Sequence, residues 1–115
     1  MAKTVEDLVR AARAAVSEID VARARELQAT GVTFVDVREP AECEKGIIEG
    51  AVCIPRGVLE WKAGAESRLA DRAAPVVVYC QSGGRSALAA VALGELGWSD
   101  VKSLAGGYAA WRADD

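Results

Sequence analysis

The chain has 115 residues, the size of one domain built around one hydrophobic core. Hydrophobic residues make up 51% and charged residues 27% of it, a globular composition that favours neither a disordered nor a fibrous class. The net charge of -3 comes without a basic stretch, so the sequence carries no electrostatic signal for nucleic acid or an anionic membrane.

The N-terminal segment predicts an amphipathic helix over residues 5–16, capped by Thr4. Its narrow apolar stripe consists of Val5, Leu8, Val9 and Ala12. This stripe would pack on the body of the domain or on a second subunit, so a homodimer is one expected assembly. A short extended piece follows near Ile19.

A helix, a strand and a short helix are predicted next. Asp20 suits the N-cap of a helix that runs through Leu27 and stops at Gly31. A run of β-branched residues predicts a strand over residues 32–37. A proline at the first position favours a short helix over residues 40–44.

The middle of the chain predicts two strands separated by a brief helix. Residues 51–54 form a strand that Pro55 stops, and residues 57–64 form the brief helix. Residues 76–79 are apolar at every position, which is typical of a strand buried on both faces in the middle of a parallel sheet.

The last third predicts a buried helix, a strand and a final helix. The helix spans residues 86–96 and ends at Gly97, the strand spans 100–104, and the final helix starts in 106–113. Strands that alternate with helices predict an α/β fold. We therefore expect about five mainly parallel strands with helices on both faces, plus the N-terminal helix.

A thiol marks the candidate site. In the sequence VVVYCQSGGRS, Cys80 stands at the carboxyl end of the predicted central strand, the edge where open α/β sheets bind ligands. Gly83 and Gly84 allow the backbone amides to turn inward, and a helix N-terminus follows directly. We expect these amides and the helix dipole to converge on the sulfur atom.

The size of this effect decides whether Cys80 is reactive. A free thiol with a pKa near ~8.5 is only ~3% ionised at neutral pH, and lowering the pKa by ~2 units requires roughly 2.7 kcal/mol. A helix dipole supplies at most ~2 kcal/mol. Amide hydrogen bonds and the charge of Arg85 are expected to supply the rest.

Cysteine and histidine counts limit the chemistry further. The three cysteines, Cys43, Cys53 and Cys80, are widely spaced, which favours free thiols in a reducing compartment. The N-terminus lacks the continuous apolar stretch of a signal peptide, and we expect a cytoplasmic protein without a membrane span. With no histidine and no CxxC pair, neither a metal site nor a cofactor is predicted.

The missing histidine also disfavours acyl transfer, which needs a base for the thiol and a proton donor for the leaving group. Redox exchange favours a nearby resolving cysteine, and none is close to Cys80 in sequence. A leaving group that departs as a stable anion needs no general acid. Transfer of a sulfane sulfur from thiosulfate, with sulfite leaving, is such a reaction.

Two ordered motifs resemble the signatures of the rhodanese-like domain family. The first is VDVREPAECEKGIIEGAVCIPRGVLEW, and the second is VVVYCQSGGRSALAAVALGELGWSDVKSLAGGYAAW with its Gly106, Gly107 and Trp111. Together they cover roughly residues 19–112. The resemblance implies a rhodanese-like domain over residues 18–115, preceded by a helical leader over 1–17.

The resemblance also implies a persulfide relay and its site residues. Cys80 would take sulfur from a small anionic donor and pass it to a thiophilic acceptor such as cyanide, a thiol or a protein. Substrate-binding roles are expected for Gln81, Ser82, Gly83, Gly84, Arg85, Ser86 and Arg56. Among them, the loop amides would cradle the extra sulfur and Arg85 would steer the donor, while Arg56 faces either the pocket or solvent.

Asp36 and Arg38 match the first signature, and we expect architectural roles for them. Asp36 would accept loop amides, and Arg38 would pair with Glu42. Cys43 and Cys53 are expected to be packing residues. The three tryptophans are expected in the core or in a pocket wall; they are Trp61, Trp98 and Trp111.

The sequence departs from the family pattern at Ile47 and Glu49, which replace a common histidine and a common proline, and Cys43 stands where an aromatic residue is common. Because that histidine is not the family nucleophile, the resemblance implies that catalysis survives its loss, whereas the local loop structure and any substrate preference that it supports are expected to differ.

Three other functions are alternatives for this sequence. The first is a phosphatase, but the four residues between Cys80 and Arg85 form a shorter loop than the phosphatases of this fold use. The second is a carrier or regulatory module that moves persulfide between proteins. The third is a silent binding domain, which the presence of Cys80 disfavours.

Overall fold

The computed structural model describes all 115 residues of the chain, Met1–Asp115. Its five strands are β1 (Ser17–Ile19), β2 (Thr33–Asp36), β3 (Val52–Cys53), β4 (Val76–Tyr79) and β5 (Val101–Leu104). Its six helices are α1 (Val5–Ala15), α2 (Val21–Ala29), α3 (Pro40–Cys43), α4 (Leu59–Lys62), α5 (Gly84–Glu95) and α6 (Gly107–Ala113). Short 3-10 turns flank α4.

The strands form a single parallel sheet in the order β1-β5-β4-β2-β3, which confirms the predicted α/β fold and the central place of β4. The predicted strand at 51–54 is paired only over Val52–Cys53, at the sheet edge. The extended piece near Ile19 is β1. It begins at Ser17, one residue before the expected domain boundary, and pairs with β5.

Side chains alternate across the sheet and build two cores. On one face, Val35 and Val78 pack with residues of α4 and α5, and Cys80 belongs to this cluster. On the other face, Phe34 and Tyr79 pack with residues of α2 and α6. Both faces are therefore covered, as the uniformly apolar β4 predicts.

The helix ends follow the local sequence. Thr4 forms a capping box with Asp7 at the start of α1, and Asp20 accepts the Arg23 amide at the start of α2, as predicted. Helix α1 packs on α5 of the same chain, with Ala12 buried between them. No helix combines the length and the apolar character that crossing a membrane requires.

The expectation for the tryptophans is wrong at one position. Trp98 and Trp111 are buried, but the side chain of Trp61 is 79% exposed. Trp61 lies in the short helix α4, whose buried face is already filled by Leu59 and the following Ala63. In so short an element, residues two apart in sequence point in different directions, and the tryptophan is directed toward solvent.

Candidate active site

Cys80 directly follows β4 at the carboxyl edge of the sheet, and it is only 1% exposed. Three residues, Gln81, Ser82 and Gly83, connect it to α5. Residues 80–83 form the active loop. Its last residue, Gly83, has a φ of 111°, which lies in the left-handed region that favours glycine. Helix α5 begins at Gly84, two residues before its predicted start.

The thiol of Cys80 occupies the place of a helix-capping group. The amides of Gly83 and Ser86 donate hydrogen bonds to Sγ at 3.1 Å and 3.4 Å. Ser86 is the third residue of α5, so its amide lacks a partner within the helix and points at the sulfur. Backbone amides therefore surround the sulfur atom where a negative charge would reside.

Burial and hydrogen bonding act in opposite directions on the pKa of Cys80. Burial favours the neutral thiol, but the hydrogen bonds from Ser86, and those from Gly83 and Ser82, together outweigh it. The net result is a pKa below the ordinary value of a cysteine. The thiolate is thus stabilised by the loop that follows it.

Ser86 and Ser103 form a buried hydroxyl pair that the sequence did not reveal. Their Oγ atoms lie 2.8 Å apart, and Ser86 Oγ also lies 3.2 Å from the Gly83 carbonyl and 3.6 Å from Cys80 Sγ. Ser103 belongs to β5, the strand next to β4. Ser103 is fully buried, and the hydroxyl of Ser86 satisfies its hydrogen-bonding need.

Arg85 is ion-paired rather than free. Its Nη1 and Nη2 donate to the two carboxylate oxygens of Glu42 at 2.7 Å and 3.0 Å. This contact with Arg85 lowers the pKa of Glu42 to about 2. The expected Arg38–Glu42 pair is wrong because α3 directs Glu42 toward the active loop, where it meets the bidentate guanidinium of Arg85.

Arg38 pairs with Asp36 inside the protein. Both are buried, with Arg38 Nη2 2.8 Å from Asp36 Oδ2 and the Arg38 amide 2.9 Å from Oδ1. Burial disfavours the charged guanidinium, but Asp36 reverses this and raises the pKa of Arg38. Arg38 Nη1 also donates to Gln81 Oε1 at 3.4 Å, so the Asp36–Arg38 pair contacts and supports the active loop.

The Gly106–Gly107 motif holds the other side of the loop. The amides of Tyr108 and Ala109, at the start of α6, donate to the carbonyls of Cys80 and Gln81 at 2.8 Å and 3.1 Å. A Cβ on Gly107 would collide with the Cys80 carbonyl oxygen and lie 2.7 Å from the Gln81 carbonyl carbon. Only glycine at this position lets α6 bind the loop so closely.

Two cavities adjoin these residues. The first, of about 530 Å³, is bounded by Gln81 and by basic side chains, and its lining includes Arg38, Glu42, Lys45, Tyr108 and Arg112. The second is an apolar groove of about 550 Å³ between α1 and α5. Arg56 lines this second groove, where its Nη1 lies 3.0 Å from Glu60 Oε1.

The site residues expected from the sequence are thus divided between several roles. Gly83, Ser86 and the backbone of Ser82 stabilise the sulfur, while Gln81 and Arg85 bind other side chains. Gly84 opens α5 and faces α1, where an added Cβ would lie 3.8 Å from Val9. Arg56 lies in a separate groove.

A parallel α/β domain with a thiolate-stabilising loop at the end of its central strand defines a class of cysteine-dependent proteins. Comparison with known families identifies the family within this class. The family model described as Rhodanese-like domain matches residues 20–114. The chain belongs to this family, as the two sequence motifs predicted.

Named relatives include sulfurtransferases. The chain is 38% identical over 92 residues to thiosulfate sulfurtransferase GlpE of Pseudomonas paraeruginosa, covering 79% of each chain. It is 39% identical over 80 residues to the probable adenylyltransferase/sulfurtransferase MoeZ of Mycobacterium tuberculosis. That match covers 70% of this chain but spans only 20% of MoeZ.

A solved structure resembles the whole chain, α1 included. It is RPA3614 from Rhodopseudomonas palustris, described as a protein of unknown function and possible tyrosine phosphatase. The TM-score is 0.86 at 31% identity, and the match covers 99% of this chain and 92% of that one. The family model begins only at residue 20, so α1 lies outside the part that defines the family.

Proposed function

We propose that the protein is a rhodanese-type sulfurtransferase that carries a sulfane sulfur as a persulfide on Cys80. The observation that carries this proposal is the geometry of Sγ, which accepts amide hydrogen bonds from Gly83 and Ser86 at the start of α5. These donors favour the thiolate, the form that attacks sulfur. The names of the relatives support the same reaction class.

The reaction has two displacement steps. The Cys80 thiolate attacks the outer sulfur of thiosulfate, the S–S bond of the donor breaks, and sulfite leaves with the electron pair. Cyanide or a thiolate then attacks the terminal sulfur of the Cys80 persulfide, and the departing Cys80 thiolate is regenerated. Neither leaving group needs a proton, which suits a chain without histidine.

The donor is proposed to enter through the cavity beside Gln81. Lys45 and Arg112 line this cavity and favour an anionic donor. Arg85 braces the loop in this scheme, because Glu42 already neutralises its charge. Since Cys80 is 1% exposed, a slender donor such as thiosulfate is favoured over a bulky one.

The phosphatase alternative fits the loop less well. Only four residues separate Cys80 from Arg85, and the guanidinium is bound to Glu42. A phosphate dianion would need more amides around it and a free arginine. Turnover of an aryl phosphate, without any reaction with thiosulfate, would reverse this preference, and RPA3614 is the natural comparison for that assay.

The decisive experiment is intact-mass analysis after incubation with thiosulfate. The wild-type protein is expected to gain the mass of a single sulfur atom and to lose it again with cyanide. Cys80→Ser should gain none, whereas the matched control Cys53→Ser, which changes an exposed thiol, should react like wild type. An adduct that persists in Cys80→Ser would contradict the proposal.

A protein acceptor is the second candidate, and the apolar groove between α1 and α5 favours it. Leu8 is 48% exposed there, beside Leu88 and Val91. Deleting the leader would not test this, because α1 also covers Gly84 and part of α5. Leu8→Gln is the cleaner change, with Trp61→Gln as an exposed apolar control outside the groove.

For a carrier, Leu8→Gln is expected to slow sulfur transfer to the protein acceptor several-fold and to leave thiosulfate-to-cyanide turnover unchanged. Trp61→Gln should leave both rates unchanged. Equal rates for wild type and Leu8→Gln with the protein acceptor would remove the groove from the proposal. Transfer is measured as sulfur mass gained by the acceptor over time.

A further inference from the structure

The other two thiols, those of Cys43 and Cys53, lie at the same end of the sheet as Cys80 but on the opposite face. Cys53 belongs to the edge strand β3, where it stands beside Asp36 of β2 in the parallel ladder. Cys43 ends helix α3. The Sγ atoms of Cys43 and Cys53 and a carboxylate oxygen of Asp36 all lie within 4.8 Å of one another.

This cluster is poorly suited to a metal ion. Both oxygens of Asp36 already accept hydrogen bonds from Arg38, at 2.8 Å to Oδ2 and at 2.9 Å and 3.1 Å to Oδ1. Removing the carboxylate from this buried pair would leave the guanidinium uncompensated. Two sulfur ligands remain, which is half of a tetrahedral zinc site.

The two thiols differ in their access to solvent. Cys53 is exposed on the edge strand, whereas Cys43 is only partly accessible. Burial raises the pKa of the Cys43 thiol to about 12, so it stays protonated at neutral pH. An oxidant in solution therefore reacts with Cys53 first, and the Cys43 thiol lies close enough to react with the oxidised sulfur.

We propose that Cys43 and Cys53 form a reversible intramolecular disulfide when the protein meets a hydroperoxide, and that Cys80 takes no part in it. The bond needs the two sulfur atoms to approach by less than ~3 Å, to an S–S length of about 2 Å. Cys80 is excluded because its side chain belongs to the core on the other face of the sheet. This proposal is independent of the sulfur-transfer function.

The chemistry has two balanced steps. The Cys53 thiolate attacks one peroxide oxygen, the O–O bond breaks, and the other oxygen leaves as hydroxide or alkoxide, which gives a sulfenic acid. The Cys43 sulfur then attacks the Cys53 sulfur, the S–O bond breaks, and the leaving hydroxide takes the Cys43 proton to form water. The thiol pair loses two electrons and the hydroperoxide gains them.

The segment that the disulfide would close, residues 43–53, is already held in place near its middle. Arg38 Nη2 donates to the Gly46 carbonyl at 2.7 Å, and the Ile48 amide donates to the Tyr79 hydroxyl at 3.0 Å. A preorganised segment loses little entropy when the bond forms. The disulfide would also anchor α3, which carries Glu42, the partner of Arg85.

The test uses the Cys80→Ser variant, which retains only the proposed pair. After hydrogen peroxide treatment its intact mass is expected to fall by two hydrogen atoms, and non-reducing peptide mapping should find Cys43 linked to Cys53. Dithiothreitol should restore the original mass. Oxygen adducts without the link, or a reducible dimer in its place, would overturn the proposal.

The matched control is Cys80→Ser with Cys53→Ser, in which an exposed side chain is replaced and Cys43 is kept. It should gain oxygen slowly and show no loss of hydrogen mass. Wild-type protein should form the same Cys43–Cys53 link, and a link from Cys80 to either residue would also overturn the proposal. Circular dichroism of each reduced variant verifies that the comparison is made between folded proteins.

Discussion

Cys80 is buried and Cys43 is partly buried, yet the pKa values of their thiols are shifted in opposite directions. The pKa of Cys43 is raised to about 12, chiefly by burial. Cys80 is more deeply buried, and its pKa is nevertheless lowered. Burial acts in the same direction in both, so the difference must come from the groups around each sulfur.

Those groups come from the backbone. Cys80 Sγ accepts the amides of Gly83 and Ser86, which are free because a helix begins there. Cys43 lies at the opposite end of a helix, where the backbone presents carbonyl oxygens, and its neighbours are Asp36 and Cys53. A helix N-terminus can therefore more than offset the cost of burying a thiolate, whereas a helix C-terminus cannot.

Gly107→Ala is expected to have the largest effect on the Cys80 site. The new Cβ collides with the Cys80 carbonyl oxygen and strains a φ of 58°, so we expect a loss of about 3 kcal/mol in the free energy of unfolding. The displaced loop should also raise the pKa of Cys80 toward that of Cys43. Urea unfolding and the pH dependence of thiosulfate adduct formation measure the two effects.

Gly31→Ala is the matched control for that change. Gly31 also has a positive φ, 85°, but an added Cβ there meets nothing within 4 Å. It should lose only about 1 kcal/mol of stability and leave adduct formation unchanged. Equal losses in the two variants would show that the contact between α6 and the loop does not position Cys80.

The local parts of this site could be predicted from the sequence, because neighbouring residues produce them. The uniformly apolar β4 places Cys80 at the carboxyl end of the central strand, and two glycines followed by a helix predict the inward amides. Helix α5 starts earlier than predicted because Gly84, a poor helix former, gains its place from tertiary packing rather than from propensity.

Partners that are distant in sequence could not be predicted in the same way. Arg85 and Glu42 are 43 residues apart, and nothing local distinguishes Glu42 from Glu44 as a partner. The approach of Cys43 to Cys53 likewise depends on how α3 folds over the edge strand. Charge pairing and thiol proximity are set by the docking of α3, which composition and periodicity do not encode.

Ser86→Ala is a smaller test, directed at one donor. It removes the hydroxyl 3.6 Å from Cys80 Sγ and leaves the Ser103 hydroxyl buried without a partner, which costs about 1 to 3 kcal/mol of stability. The pKa of Cys80 should rise, because one hydrogen bond to the thiolate is lost while both amides remain. The midpoint of the iodoacetamide reaction, followed by the mass of the Cys80 peptide, measures the shift.

Ser103→Ala serves as the control, because it breaks the same hydroxyl pair from the other side and keeps Ser86 beside the sulfur. We expect its Cys80 midpoint to stay at the wild-type value. If both variants shifted that midpoint equally, the effect would belong to the buried network as a whole rather than to the hydrogen bond on sulfur.

The smallest effect is expected for Glu42→Gln, which breaks the link between α3 and the active loop. A partly exposed bidentate pair contributes about 1 kcal/mol, and Glu44→Gln, on the same turn but without an ion pair, should cost nothing measurable. The folded-state pKa of Glu42 is lowered from 4.5 to about 2, so its contribution is fully present above about 4.5 and disappears as the pH falls toward 2. Urea unfolding of both variants at several pH values in this window checks the sign, and a stability difference from wild type that grows on acidification would contradict it.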